Sequence, residues 1–508
     1  MMHPGLPFVW GLLIFGSVVL FSAWTLVSPS RHRGTPPAFS LTRLPLIGAM
    51  IQRLVTSNRV LLILKFITVA FFLLVIAAGL SGTPVAERNL ATILTWNLWW
   101  SGLIFSILLF GSAWCAVCPW DAIAQWLVRR RLWRRAEPNN SLNLKLPGWL
   151  NNVWPALLLF LGLTWLELGF GITTNPYATA LVALLMVVLA TVSLMVFRKK
   201  AFCRNFCPVG RTIGFYSQLA PIELRPIDTD TCASCKTLDC YHGNDEIEPC
   251  PTSLVMGRLQ QNSYCTSCGN CVQSCPHQNI AWRLRSPAIE AIEGARPHRD
   301  EAWFMLGLLA LTALHGITMM PFWETWMLRL ARVIGDSAQL LGSFTIGMMV
   351  CLAAVGSLYA AMVALTCKLS GAGIAYWRCF STLAFVALPL AFAYHLAHNL
   401  NHLIRESVGV STVFTNPLGI GTLPLSMEEK HQRHLEMLLS PAVLHALQAA
   451  LMIAGFIIAV QTIRARGAVL LQGSKRNPGV ILIPMLLFAL IMTGFHAWML
   501  MQPMIMRM

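Results

Sequence analysis

The chain reads as an all-α polytopic membrane protein of about ten transmembrane helices, interrupted by one polar, cysteine-rich insert. Composition is the first reason. Of 508 residues, 56% are hydrophobic and 11% charged, where a soluble domain carries about 25% charged residues. The second is the distribution of apolar runs. A bilayer core about 30 Å thick needs roughly 20 apolar residues per helix, and ten runs qualify: 7–27, 60–82, 92–114, 151–172, 177–197, 302–321, 340–367, 379–404, 440–463 and 479–501. The third is where the basic residues fall.

Arg31, Arg33, Arg43, Arg53 and Arg59 follow the first run; Arg129, Arg130, Arg131, Arg134 and Arg135 follow the third. Arg198, Lys199 and Lys200 follow the fifth, Lys368 and Arg378 flank the turn after the seventh, and Arg464, Arg466, Lys475 and Arg476 follow the ninth. All share one side if both termini face outward, as the positive-inside rule asks of cytoplasmic loops. The opposite loops are short or carry acids such as Glu87, Glu428 and Glu429. The net charge of +16 is therefore accounted for by membrane topology, and no nucleic-acid partner is expected. An outer stretch with Arg329 and Arg332 departs from the rule. Its Trp323, Trp326, Leu330, Val333 and Ile334 fit a surface helix in the aromatic interface. The segment from Met1 to Phe8 has no basic n-region, so the first run is expected to be retained as a span.

Three regions follow: an N-terminal membrane domain of about five helices at 1–200, a polar insert at 201–300, and a C-terminal membrane domain of about five helices at 301–508. The alternation puts the insert in the cytoplasm, in a bacterial inner membrane with its lipid as the surrounding partner.

Eight of the fifteen cysteines lie in one stretch of this insert, 232–275. Cys265, Cys268, Cys271 and Cys275-Pro276 form the run C-x2-C-x2-C-x3-C-P, in which the first three cysteines bind one [4Fe–4S] cluster and the fourth binds its neighbour. Cys232, Cys235, Cys240 and Cys250-Pro251 supply the other set. The spacing thus predicts a two-cluster ferredoxin-like domain, with Cys232, Cys235, Cys240 and Cys275 on the first cluster and Cys250, Cys265, Cys268 and Cys271 on the second. Zinc favours paired C-x2-C arms without the crossed C-P ending.

Two further pairs stand where runs end on the inner side: Cys115-x2-Cys118-Pro119 and Cys203-x3-Cys207-Pro208. Thiolates there suit a redox-active dithiol, copper, zinc or another iron–sulfur centre; the plainer reading is that proline and small thiols shape helix ends. Paired C-P motifs after membrane helices, followed by a two-cluster ferredoxin, resemble the membrane polyferredoxins of the NapH/NosR type over about residues 60–285. That resemblance implies service to a periplasmic respiratory metalloenzyme, and a related accessory protein of cytochrome oxidase assembly has been linked to copper reduction. The first pair is one residue shorter than the family's usual C-x3-C-P. There is no sequence room for a large extracytoplasmic flavin domain, and five additional spans follow the ferredoxin instead.

Histidines form a second constellation. His395, His398 and His402 share one face of the eighth run, and His315, His445 and His496 come from the sixth, ninth and tenth. At 1.5 Å per residue several reach one depth, and ionisable groups inside a membrane point to function. Haem b between two imidazoles, His395 or His398 with His445 or His496, is one expectation. Copper held with nearby methionines is a second, and a quinone pocket a third. Glu167, inside the fourth run, fits proton exchange with a quinol or a simple interhelical hydrogen bond.

The functional expectation is a membrane electron-transfer protein acting between a cytoplasmic donor or the quinol pool and a periplasmic metalloenzyme or cytochrome. It is an oxidoreductase component rather than a stand-alone catalyst: the sequence holds no convincing nucleophile–base set, phosphate loop or hydrolytic metal motif. A cupric reductase and an iron–sulfur redox sensor are the alternatives.

Overall fold

The computed structural model describes residues 2–28, 38–45, 48–130, 140–371, 373–407, 410–472 and 476–505. Of the basic residues expected on the inner side, Arg31, Arg33, Arg131, Arg134, Arg135 and Lys475 lie outside the described residues. Nine described helices are long and apolar enough to cross a membrane: Phe8–Val27, Arg59–Ser81, Leu90–Phe110, Pro176–Val196, Arg299–Thr318, Leu341–Ser370, Tyr376–Glu406, Pro441–Leu470 and Ile483–Met501. The expected span at 151–172 is shorter, Trp154–Phe170. A proline in its first turn sets its start, and Gly171, at φ 76°, stops it in the left-handed region that favours glycine. With that helix counted as the fourth, the spans run from first to tenth in chain order.

The eighth span is the hub, and its apolar window is buried throughout, whereas the second is largely exposed on the side a bilayer covers. Gly455 of the ninth span allows a close approach to the hub: a Cβ there would stand 2.3 Å from Ala393 Cβ. Small residues bring membrane helices together where lipid supplies no hydrophobic drive.

The insert is built on a three-stranded antiparallel sheet. Ile280–Leu284 is its central strand, paired with Ile222–Pro226 on one side and Phe39–Ser40 on the other. Leu224, Met256, Cys271, Val272 and Ile280 form its small core. Such a core is too slight to hold a hundred residues, and a buried ion network adds to it. Glu223 meets Arg283 at 2.5 Å and Arg285 at 3.2 Å, and Glu290 is paired with Arg225 and Arg285.

The insert is anchored to the bundle. Arg285 donates to the carbonyls of Ser217 (2.8 Å) and Ala220 (3.0 Å). Arg466, from the end of the ninth span, donates to the Ala291 carbonyl at 2.6 Å. Between the fifth span and the sheet, helix Pro208–Tyr216 is buried along its whole length. It runs into the bundle: Phe215 stacks on Phe304 at 4.9 Å and Tyr216 packs on Phe392 at 4.7 Å.

The outer stretch after the sixth span is helix Pro321–Ile334. Its buried face is Trp323, Met327 and Ala331, leaving Trp326, Val333 and Ile334 exposed. The surface helix is therefore present, with only Trp323 of the five expected apolar residues turned fully inward.

Candidate metal centres and the adjoining chamber

The insert gathers its eight cysteines into two sets of four. Cys232, Cys235, Cys240 and Cys275 lie within electrostatic reach of one another. Asn279 ties that set together: its side-chain amide donates to Cys232 Sγ and its backbone N–H to Cys275 Sγ, each at 3.4 Å. Gly257 makes room, since a Cβ there would lie 2.6 Å from Cys232 Cβ. Cys250, Cys265, Cys268 and Cys271 form the other set. Leu254 N–H donates to Cys250 Sγ at 3.3 Å and Ser267 N–H to Cys265 Sγ at 3.4 Å. Hydrogen bonds to sulfur are one of the levers that set cluster potentials.

The two membrane-surface pairs also come together. Cys118 and Cys207 are the N-caps of helices Pro119–Arg129 and Pro208–Tyr216, each with proline in its first turn, where the missing N–H costs nothing. Cys207 Sγ accepts the Gly210 N–H at 3.2 Å, so the helix N-terminus favours its thiolate. Cys203 sits in a short π-helix, Phe202–Phe206. Cys115, Cys118, Cys203 and Cys207 lie within electrostatic reach of one another. Asp121, one turn into the first of these helices, approaches Cys203 Sγ at 4.0 Å and pairs with Lys200 at 2.5 Å.

Cations surround this third set. Burial works against the Lys200 ammonium, but Asp121 and the neighbouring sulfurs hold its pKa above the ordinary lysine value. Arg211, 1% exposed, stands close to Cys115, Cys203 and Cys207, and Lys65 enters from the second span near Cys118. Burial pushes the free Cys115 thiol up to about 12 and those of Cys207 and Cys265 up to about 11. A centre bound by these thiolates must therefore displace protons as it loads.

Four thiolates around one zinc ion stand roughly 3.8 Å apart. Among the described residues, no group of three or more His, Cys, Asp or Glu side chains is set to hold a single metal ion. A cubane spreads its four thiolates over four irons, and the cations around this set would offset the charge of such a centre.

The third set touches the second. Ser112, in the turn leading to Cys115, hydrogen-bonds Ser267, between Cys265 and Cys268, at 2.8 Å. Lys200 N–H donates to the Pro251 carbonyl at 3.0 Å, and Arg211 donates to the Ser263 carbonyl. Gly214 lets the buried helix lie against this loop, because a Cβ there would fall 2.0 Å from Ser263 O.

On its other side the third set borders a chamber of about 400 Å³. Trp114 and Pro119, the residues flanking the first cysteine pair, line it, together with Trp96, Trp99, Trp100 and Trp120. Among its lining residues Glu167 is the one acid. Phe71 and Phe414, each 45% exposed, form a rim on the lipid-facing side and touch edge to face at 6.4 Å. Two π-helical segments shape the walls, Ile93–Trp99 and Trp165–Phe170; such departures from α-geometry are frequent at functional sites.

The histidines are only partly gathered. A cavity of about 30 Å³ is lined by His315, His395 and His398 with Glu167, Thr312 and Asn399. That is room for one water and not for a porphyrin. His398 and His402 are joined Nε2 to Nε2 at 3.1 Å, and His402 Nδ1 meets Glu406 at 2.7 Å. His395 Nδ1 lies 3.4 Å from Tyr216 Oη. His496 stacks on Tyr394 at 4.3 Å. His445 is apart from the cavity, near Arg405 at the far end of the eighth span. Counting rise per residue put these groups at a similar depth, His445 from the outer end; it could not see that the Tyr394 ring packs on both His398 (5.6 Å) and His496. Of the expected pairing of His395 or His398 with His445 or His496, the structure sets His445 apart and puts the Tyr394 ring against both His398 and His496. The Glu167–His315 approach, 3.8 Å, is a pairing that sequence reasoning missed; both residues had been noted, but nothing in the sequence sets the rotation of one helix against another.

Residues 92–136 and 179–220 match the family described as "4Fe-4S binding domain". Those segments hold Cys115, Cys118, Cys203 and Cys207 and none of the eight insert cysteines. The chain is 30% identical over 95 residues to the putative electron transport protein YccM of Escherichia coli, covering 18% of this chain and 24% of that protein. It is 29% identical over 112 residues to the uncharacterized protein MJ0750 of Methanocaldococcus jannaschii, covering 22% of this chain and 42% of that one. The aligned stretches thus span less than half of either curated relative. No solved structure matches.

Fold and matched domain together define a multi-pass membrane iron–sulfur protein. In particular, it is one whose matched 4Fe–4S domain is built from two membrane-surface C-P motifs, with a second cysteine-rich domain inserted after them.

Proposed function

We propose that the protein is a membrane electron carrier in which three sets of four cysteines hold three [4Fe–4S] clusters. The third cluster, on Cys115, Cys118, Cys203 and Cys207, would connect the ferredoxin-like insert to an isoprenoid quinone in the aromatic chamber. The clusters supply one-electron chemistry; the chain supplies their order. The observation that carries this reading is the position of the third set, tied to the Cys265 loop through Ser112 and Ser267 on one side and bordered by the chamber on the other.

The chamber's chemistry supports a quinone. A ring with an isoprenoid tail needs an apolar slot reached from lipid, few polar groups and one acid to exchange a proton with its oxygen. Trp and Phe walls, the Phe71–Phe414 rim and Glu167 meet those needs. The similarity to YccM, a putative electron transport protein, supports a carrier role, and the resemblance to NapH/NosR-type polyferredoxins favours a carrier that supplies electrons to an outer-side respiratory enzyme or its maturation, with the insert in the cytoplasm.

The test is anaerobic mixing of the purified, dithionite-reduced and desalted protein with decylubiquinone, and of the oxidised protein with its quinol, followed by cluster absorbance. Exchange in either direction, slowed in Trp99→Ala, supports the reading. Clusters indifferent to both forms of the probe would overturn it.

A further inference from the structure

The chamber is connected to the far end of the bundle by titratable groups that electron transfer alone does not need. Glu167, Trp100 and Phe160 line both the 400 Å³ chamber and the water-sized cavity behind it. From Glu167 the path continues to His315 Nδ1 at 3.8 Å, a gap one water in that cavity can bridge. The His315 and His398 rings lie 5.1 Å apart, edge to face. His398 then contacts His402 Nε2 to Nε2 at 3.1 Å, and His402 Nδ1 contacts Glu406 at 2.7 Å. Glu406 is the last residue of the eighth span, on the side of the bundle away from the insert. His398, which lines that cavity, is 3% exposed, and its Nδ1 has no hydrogen-bond partner among the described residues.

We infer that Glu167, His315, His398, His402 and Glu406 form a proton path between the quinone chamber and the bundle face opposite the iron–sulfur insert. This rests on the quinone reading above and adds a direction to it. Quinone reduction breaks no σ bond: the ring takes two electrons, one at a time from the cysteine-held centres, the two C=O π bonds are given up to an aromatic ring, and two protons form the two O–H bonds. Quinol oxidation is the reverse. With electrons arriving from the insert side and protons from the opposite side, each turnover moves charge across the membrane.

The chemistry fits the residue types. Imidazoles bonded to one another pass a proton by taking it on one ring nitrogen and releasing it from the other. A carboxylate at each end exchanges protons with the ring oxygen or with water. An isolated interhelical hydrogen bond would need no more than one donor and one acceptor; a run of five titratable groups from two helices and the short fourth span does more than that. The neighbours of the path are Asn399, Thr312 and Tyr394, with His395 the one further titratable group lining the cavity, while Arg405 and His445 stand beside its outer end.

The experiment uses the full-length, cluster-loaded protein in liposomes with its insert facing outward and a pH dye trapped inside. Clusters are reduced with dithionite, the excess is removed, and decylubiquinone is added. The expected result is lumenal alkalinisation in step with cluster reoxidation. In His398→Phe and Glu406→Gln, iron content and quinone binding are kept while lumenal proton uptake falls by about 100-fold. Uptake from the outer medium, or unchanged lumenal uptake in both variants, would overturn the path. Failure of the wild-type clusters to reoxidise at all would instead overturn the quinone reading, so the two failures are distinguishable. Should His398→Phe not assemble, Glu406→Gln at the span's end decides alone.

Discussion

Ser112 and Ser267 share a hydrogen bond of 2.8 Å across 155 residues of sequence. The first lies in the turn that leads to Cys115, the second between Cys265 and Cys268, so this contact fixes how the insert sits on the membrane motifs. A net hydrogen bond contributes about 1 kcal/mol. A double-mutant cycle with Ser112→Ala and Ser267→Ala should return a coupling of about that size in the opening free energy of the 263–268 loop, read by hydrogen exchange. Strictly additive single effects would show that the contact does not hold the two together.

Glu223 is 7% exposed and surrounded by Arg225, Arg283 and Arg285. Removing one side of a buried ion network leaves charge unpaired and costs about 3–5 kcal/mol. Glu223→Gln should therefore loosen the sheet, and both insert clusters should be lost together on mild heating while the third set is retained. Loss of all three at once would mean that the insert and the membrane motifs do not unfold separately.

Gly257 is needed for close approach rather than for backbone freedom. A side chain there meets Cys232 Cβ at 2.6 Å. Gly257→Val should displace that cysteine and lower bound iron by about four atoms of roughly twelve, leaving the Cys265 set intact by electron paramagnetic resonance. A variant with full iron would place the first cluster elsewhere.

On the face opposite the insert, helix Met427–Leu435 begins with a capping box: Ser426 N–H donates to Glu429 Oε2 at 2.8 Å and Glu429 N–H to Ser426 Oγ at 3.1 Å. Arg88 pairs with Glu429 at 3.0 Å. The Ser426 N–H, then Arg88, hold Glu429 below its ordinary value of 4.5. A lowered carboxylate adds stability above its unfolded value and loses it as pH falls through the folded one. Hydrogen-exchange protection of residues 426–435, corrected for intrinsic rates, should be constant above about pH 4.5 and decline below it. Glu429→Gln should lack that decline, and an identical decline in the variant would assign it to another group.

Apolar runs and cysteine spacing made most of the architecture readable, because both are local: a span is a length of apolar chain, and C-x2-C-x2-C-x3-C-P spans 12 residues. Trp154–Phe170 came out short because its proline-bearing first turn starts it only at Trp154 and Gly171 stops it after Phe170. What depends on helix rotation and long-range contact was not readable. The meeting of Cys115 and Cys118 with Cys203 and Cys207 needs the third and fifth spans to return to one spot. Glu167 facing His315 depends on how the short fourth span is turned, and Tyr216 reaching His395 depends on a buried helix whose proline start looked like a simple stop.

The most direct test of the three-cluster account is iron and acid-labile sulfide analysis of anaerobically purified protein, alongside the double variant Cys203→Ser/Cys207→Ser. The account predicts about twelve irons and twelve sulfides in the parent chain and about eight of each in the variant, with the insert's resonance signals unchanged. About eight irons in both would contradict it, leaving the membrane-surface cysteines without a cluster.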